Sequence, residues 1–226
     1  MDLYIGSKNY SSWSMRPWLV LEHFRIPYTE HLIPFDDFKP DQNFNQQMRK
    51  ISPTGKVPTL LHDGLVVWDS LAICEYLAEQ YPQLSLWPED FKLRAQARSI
   101  CAEMHSGFST LRTLCGMNVE ADLAEIGRKL WSEHPQLHQD LQRIEKIWNS
   151  RPEPTGYLCG SQFTIADAFF APVIIRINTF KLPISNSSIQ YIHTMLELPA
   201  MKKWIEAAKN EQSFVSIVEP YRSARD

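Results

Sequence analysis

Cysteine is scarce and poorly spaced for redox or metal chemistry. The chain has four (Cys74, Cys101, Cys115 and Cys159), with no C-x-x-C pair and no set at metal-ligand intervals. That spacing argues against a thioredoxin-type dithiol and a thiolate metal site, and it reads as reduced core or loop thiols in a cytoplasmic protein. His134 and His138 stand four apart, but Pro135 lies between them and no third ligand is near, so no metal is expected. Long apolar runs are missing too. The most apolar stretch, Phe169 to Ile175, is too short for a bilayer and is followed by Arg176. No basic region followed by an apolar stretch opens the chain, so no secretory leader is expected. Nor does one sign of charge dominate: 23 Lys+Arg against 26 Asp+Glu leaves a net charge of -3, no case for nucleic acid or anionic membrane.

What the chain does have is apolar mass. Its 226 residues, 44% hydrophobic with seven Trp and eleven Phe, suffice for one large domain or two modest ones and argue against disorder. The first half alternates strand and helix signals. Leu3 to Ile5 reads as a strand, Trp13 to Phe24 as a helix ended by Ile26-Pro27, and Tyr28 to Ile33 as a second strand. Pro34 to Pro40 reads as a loop and Asp41 to Lys50 as a weakly helical stretch. Val57 to Leu61 and Leu65 to Trp68 form a hairpin around Asp63-Gly64, and an amphipathic helix follows over Leu71 to Glu79.

After the connector Pro82 to Pro88 everything reads as helix. Ala97, Cys101, Met104, Phe108, Leu111 and Cys115 mark one long amphipathic helix; Leu123 through Trp148 mark another, interrupted at Pro135. Thr164-Ile165-Ala166-Asp167 has the form of a capping box before a nearly all-apolar core helix, bent at Pro172. Pro199 opens a last amphipathic helix to about Lys209. The expected domains are therefore residues 1–81, a linker over 82–88, and an all-helical unit over 89–226.

The most informative feature is the corner made by Val57-Pro58-Thr59 and Asp69-Ser70. A free strand edge beside a proline can pair with an extended peptide. A helix N-terminus offers unpaired N–H groups to a carboxylate, and Asp69 offers a charge to an ammonium. The same residues also describe an ordinary strand, turn and capped helix.

Three motifs in this order resemble the cytosolic glutathione S-transferase family over nearly the whole chain: Ser11-Ser12-Trp13-Ser14-Met15-Arg16-Pro17-Trp18; Gly55-Lys56-Val57-Pro58-Thr59-Leu60 with Trp68-Asp69-Ser70-Leu71-Ala72-Ile73; and Thr164-Ile165-Ala166-Asp167. The resemblance implies a thioredoxin-like N-terminal domain with a mixed four-stranded sheet, followed by an all-helical C-terminal domain. It implies glutathione as co-substrate, a small electrophile as second substrate, and a homodimer. It implies that Lys56 and Val57 line the peptide edge, that Pro58 is cis, and that Asp69 and Ser70 take the γ-glutamyl ammonium and carboxylate. Thr164 and Asp167 are expected to cap a helix and carry no chemistry. Met104, His105, Phe108, Leu111 and Arg112 are candidates for the second-substrate pocket, with core packing the other reading for the apolar ones.

The implied chemistry needs a thiolate. A thiol of pKa near 8.5 lowered by ~2 units requires about 2.7 kcal/mol of anion stabilisation. A helix N-terminus supplies roughly 0.3–1 kcal/mol, up to ~2 when sheltered, and a hydrogen bond to a charged group on the order of 1.5–3. A hydroxyl just ahead of a helix is therefore expected. Proline is tolerated in a helix's first turn, which makes Ser14 the expected N-cap and leaves Ser11 and Ser12 to face a ligand. The zeta-like branch reads Ser-Ser-Cys-Ser-x-Arg here and aligns its thiol-facing serine with Ser11. Ser11 is thus the first candidate and Ser12 the second, with Tyr10 a further one because other branches use a tyrosine nearby. Ser14 and Arg16 join the expected glutathione-binding set; Arg16 meets either a substrate carboxylate or a structural acid.

Trp13 replaces the branch's cysteine, which disfavours the maleylacetoacetate isomerase reaction, and no cysteine precedes Cys74 to serve as in cysteine-type members. Besides conjugation, two other readings stand: glutathione-dependent isomerisation of a maleyl-type diacid, and a glutathione-fold binding protein with little catalysis.

Overall fold

The computed structural model describes residues 1–225. Its first half is a four-stranded mixed sheet: β1 (Asp2–Ile5), β2 (Thr29–Leu32), β3 (Thr59–His62) and β4 (Leu65–Trp68), in the order β2-β1-β3-β4. β1 runs parallel to β2 and antiparallel to β3, and β3 pairs antiparallel with β4. The β3–β4 turn has positive φ at both Asp63 and Gly64, the conformation that Asp-Gly favours in a two-residue hairpin. Helices α1 (Ser12–His23), α2 (Asn43–Ile51) and α3 (Ser70–Gln80) complete this half. A 3-10 turn (Pro82–Leu84) then leads into α4 (Phe91–Ser106), α5 (Ser109–Leu114), α6 (Ala124–Glu133), α7 (Pro135–Asn149), α8 (Ile165–Phe180), α9 (Asn186–Leu196) and α10 (Pro199–Asn210).

Two expectations fail, each for a local reason. The long helix expected from Ala97 to Cys115 is broken into α4 and α5. Gly107 is extended and Phe108 left-handed, with φ 56, so the hydrogen-bond ladder stops. A Cβ on Gly107 would lie 2.8 Å from the Glu103 carbonyl oxygen. The buried stripe nevertheless runs on through Phe108, Leu111 and Cys115, so apolar spacing could not reveal the break. The second failure is the cap of α1. Ser11, not Ser14, is the N-cap; its Oγ accepts from the Ser14 N–H at 3.3 Å. Pro17 consequently sits inside the helix and removes one backbone bond, a cost of ~3 kcal/mol in an exposed helix. Tertiary burial outweighs it here, because every residue from Ser14 to Leu21 is buried.

The interruption expected at Pro135 is found between α6 and α7. The apolar α8 lies at the centre of a core continuous across both halves, where Leu3, Ile5, Trp18 and Leu19 meet Phe169, Phe170 and Ile174. α8 begins with the expected capping box. Asp167 is fully buried; Oδ2 accepts from the Thr164 N–H at 2.9 Å and Thr164 Oγ1 at 3.2 Å, and Oδ1 from the Leu158 N–H at 2.9 Å and Tyr191 Oη at 3.0 Å. Burial pushes its carboxyl up to about 6 against these donors.

The segment after α10 returns to the sheet domain. Glu211 accepts from the Lys8 and Asn9 N–H groups at 2.7 and 3.2 Å, and Glu219 from Tyr10 Oη at 2.8 Å. Among the described residues no helix is long and apolar enough to cross a membrane.

Asp167→Ala removes an acceptor shared by several buried donors, so a stability loss on the order of 3 kcal/mol or more is expected. Urea denaturation measures it, and a loss below ~1 kcal/mol contradicts the role assigned to the box.

Candidate active site

α1 enters the joint between the two halves N-terminus first, and three cavities meet there. The outer one, of about 460 Å³, is lined by Trp13, Thr54, Lys56, Val57, Pro58, Trp68, Asp69, Ser70 and His105. Its floor is the strand edge. The Val57–Pro58 peptide is cis, and Val57 lies outside the β-ladder with its N–H and C=O unpaired among the described residues. Its far wall is the start of α3. Asp69 caps that helix with φ 72, its Oδ1 accepting from the Leu71 N–H at 2.8 Å. Its Oδ2 lies 3.3 Å from His105 Nε2. Burial holds His105 below the usual imidazole value, opposed by Asp69 and aided by Arg16 and Arg112.

Ser70 is buried, yet among the described residues its Oγ has no hydrogen-bond partner, and neither has His105 Nδ1. Orphaned buried polar atoms are uncommon and call for an explanation. At a helix N-terminus beside a strand edge, a carboxylate ligand would give the Ser70 hydroxyl a partner.

The inner cavity, about 170 Å³, is bounded by Ser12, Trp13, Arg16, Met104, Phe108, Leu111, Arg112, Pro172, Val173 and Arg176. Three guanidiniums therefore face one small space. Arg16 lies between the rings of Trp13 and Phe169, 4.2 and 4.5 Å from their centroids, and its Nε and Nη1 are buried without partners. Burial and the guanidiniums of Arg112 and Arg176 bring Arg16 down to about 9, still protonated at neutral pH. Arg112 donates to the Met104 carbonyl and lies over Trp13 at 4.9 Å. Arg176 donates to the Cys115 carbonyl and to Ser12 Oγ, the latter at 3.3 Å.

A third cavity, about 250 Å³, links the other two along Val57, Ser11, Ser12 and Trp13. Here the half-buried start of α1, Ser12 and Trp13, borders the cavity. The Ser12 N–H turns back to Tyr10 O and the Ser14 N–H to Ser11 Oγ, while the Trp13 N–H has no partner among the described residues. Trp13 borders all three cavities.

The expected residues thus divide between neighbouring spaces. Lys56, Val57, Pro58, Asp69 and Ser70 gather in the outer cavity, and His105 joins them rather than the second-substrate set. Arg16, expected on the glutathione side, lies in the inner cavity with Met104, Phe108 and Arg112, and among the described residues no acid pairs with it. Ser14 lines none of these cavities; its Oγ accepts from the Gly6 N–H at 3.2 Å. Tyr10 commits its hydroxyl to Glu219, and burial with that carboxylate pushes it up to about 12. Sequence reasoning passed over Arg176. The signal was present: one arginine inside an otherwise apolar helix that is buried on nearly every side. Among the described residues no cluster of His, Cys, Asp and Glu could hold a metal ion.

Comparison with known proteins agrees with this architecture. Residues 10–80 match the model of the glutathione S-transferase N-terminal domain, and residues 118–207 that of the C-terminal domain. A probable maleylacetoacetate isomerase of Caenorhabditis elegans is 30% identical over 88% of this chain and 89% of its own length. Glutathione S-transferase 1 of Dianthus caryophyllus is 28% identical over 95% of this chain and 89% of its own. Among solved structures, a bacterial zeta-class maleyl pyruvate isomerase superposes with TM-score 0.69 at 22% identity, covering 93% of this chain and 99% of that one. A glutathione transferase homologue from Burkholderia, solved with bound glutathione, gives 0.66 at 22% identity, covering 93% and 98%.

The unpartnered Ser70 hydroxyl gives a direct prediction. Ser70→Ala is expected to weaken glutathione binding about tenfold, as loss of a hydrogen bond to a charged group implies. Calorimetry measures it, and unchanged affinity in the variant contradicts a ligand role for Ser70.

Proposed function

Because the chain belongs to the glutathione S-transferase family, we propose that it binds glutathione in the outer cavity and transfers its sulfur, as thiolate, to a small electrophile held in the inner one. The observation that carries this reading is the continuity of the three cavities along Val57 and Trp13. A peptide anchored at Asp69 and Ser70 and paired with the free Val57 edge extends its cysteinyl side chain toward the first turn of α1. There the thiolate meets an open N–H, a serine hydroxyl and a helix N-terminus. A hydrogen bond to the charged sulfur, about 1.5–3 kcal/mol, together with the helix dipole, about 0.3–1, covers the ~2.7 kcal/mol that a two-unit lowering of the thiol pKa requires.

In this division of labour residues 1–81 hold glutathione and the helices after the 82–88 connector hold the electrophile. Conjugation to such electrophiles is a detoxifying reaction. Family resemblance supports a cytoplasmic homodimer, with Leu65 and Trp68 of β4 and Phe91 of α4 among the exposed apolar residues of the two halves. Light scattering at the mass of a single chain would count against the dimer.

A second reading has its own observation. Arg16, Arg112 and Arg176 face the inner cavity, and among the described residues the one carboxylate that acts on them is Asp140, on Arg112. Such a pocket suits an electrophile carrying carboxylates, including a maleyl-type diacid. In that isomerisation the thiolate adds to one alkene carbon while the π pair moves onto the conjugated carbonyl. The resulting single bond rotates, the pair returns, and the thiolate leaves.

Purified protein is expected to conjugate a generic aromatic halide above the uncatalysed rate. Retention on immobilised glutathione without turnover of either substrate class would leave a binding protein instead. The two readings separate on Arg112→Gln. For a carboxylate-bearing electrophile KM is expected to rise about tenfold or more, the loss of a charge-assisted bond. For the neutral halide it stays within about twofold of wild type on the diacid reading.

A further inference from the structure

The two serines at the start of α1 are held in different ways. Ser11 is 4% exposed, accepts from the Ser14 N–H at 3.3 Å and donates its proton to Ser14 Oγ at 2.7 Å. Ser14 Oγ is itself fixed by the Gly6 N–H at 3.2 Å. Ser11 is therefore spent inside the cap that starts the helix. Ser12 is half-buried and borders both the inner and the linking cavity. Its Oγ accepts from Arg176 Nη2 at 3.3 Å, and no group among the described residues takes its proton.

Arg176 reaches Ser12 from the opposite half of the molecule. It stands near the end of α8, is 7% exposed, and is anchored through its other amine to the Cys115 carbonyl. A hydroxyl has one proton and two acceptor sites. When a buried cation occupies one acceptor site, the proton turns away from it, here toward the cavity. Accepting from a cation also makes the hydroxyl a stronger donor, since linked hydrogen bonds polarise one another.

We propose that Ser12 is the hydroxyl that donates to the glutathione sulfur, and that Arg176 is its positioning residue. The inference rests on the glutathione-transferase reading above and deepens it. It makes the chemistry of the sheet domain depend on a side chain of the helical domain. No bond is made or broken at Arg176; it orients the proton of Ser12 and strengthens the bond that Ser12 gives to the thiolate.

The test titrates the ultraviolet absorbance of the thiolate in the glutathione-loaded protein, with calorimetry confirming that each variant still binds glutathione. Ser12→Ala and Arg176→Gln are each expected to move the titration midpoint of the bound thiol up by about one pH unit. The double variant is expected to move it no further than the larger single change, because both remove the same bond. Arg176→Gln is a substitution of a buried residue, so its circular dichroism is compared with wild type; if it does not fold, Arg176→Lys, whose shorter reach and point charge loosen the bond to Ser12, takes its place in the same comparison. A shift in Ser12→Ala with little in Ser11→Ala supports the assignment. An unshifted midpoint in Ser12→Ala, or additive shifts in the double variant, overturns it. Failure of the wild type to bind glutathione would instead remove the reading on which it rests.

Discussion

The position of α1 is the constraint on which the rest of the structure depends. This helix is buried from Ser14 to Leu21, packed against α3, α8 and α10 at once. A proline in its interior is tolerated because that packing, rather than the backbone ladder, holds it. With both halves closed on its body, only its first turn remains at the joint. The free Trp13 N–H, the Ser12 hydroxyl and the Arg16 guanidinium are thereby presented between a strand edge from one half and two arginines from the other. The segment after α10 completes the arrangement: Glu211 and Glu219 bind the loop that leads into α1, fixing its entry.

Electrostatics gives the inner cavity its character. Two buried cations and a half-buried one in one space are unfavourable by desolvation and by mutual repulsion, which is why Arg16 and Arg176 are held to about 9 and about 10. The fold offsets part of this through the Trp13 and Phe169 rings and through carbonyls at the ends of α4 and α5. Among the described residues the one carboxylate that acts on these cations is Asp140, on Arg112. What remains is a small pocket of positive character beside the first turn of α1.

Much of this was legible in the chain itself. The hairpin around Asp63-Gly64, the Thr164–Asp167 box and the Pro135 break are local signals written in a few residues, and the structure has each of them. The order of the Val57-Pro58 and Asp69-Ser70 motifs marked the outer cavity for the same reason. Two features escaped because they are decided by tertiary contacts. The α4–α5 break lies where the buried stripe stays in phase, so periodicity is blind to it. The true cap of α1 was hidden by Pro17: a rule about proline in isolated helices gives way when the helix is fully enclosed. Arg176 was visible as an oddity in an apolar run, but its partner lies more than 160 residues away, at Ser12. Only the packing of α8 on α1 brings them together.

The central claim is geometric: glutathione lies along the Val57 edge with its sulfur at the first turn of α1. A crystal structure of the protein with glutathione tests it most directly. The account predicts the γ-glutamyl carboxylate on Ser70 Oγ, the cysteinyl backbone paired with Val57, and the sulfur within hydrogen-bond reach of Ser12 Oγ and the Trp13 N–H. Glutathione bound elsewhere, or bound there with its sulfur turned away from α1, would contradict it.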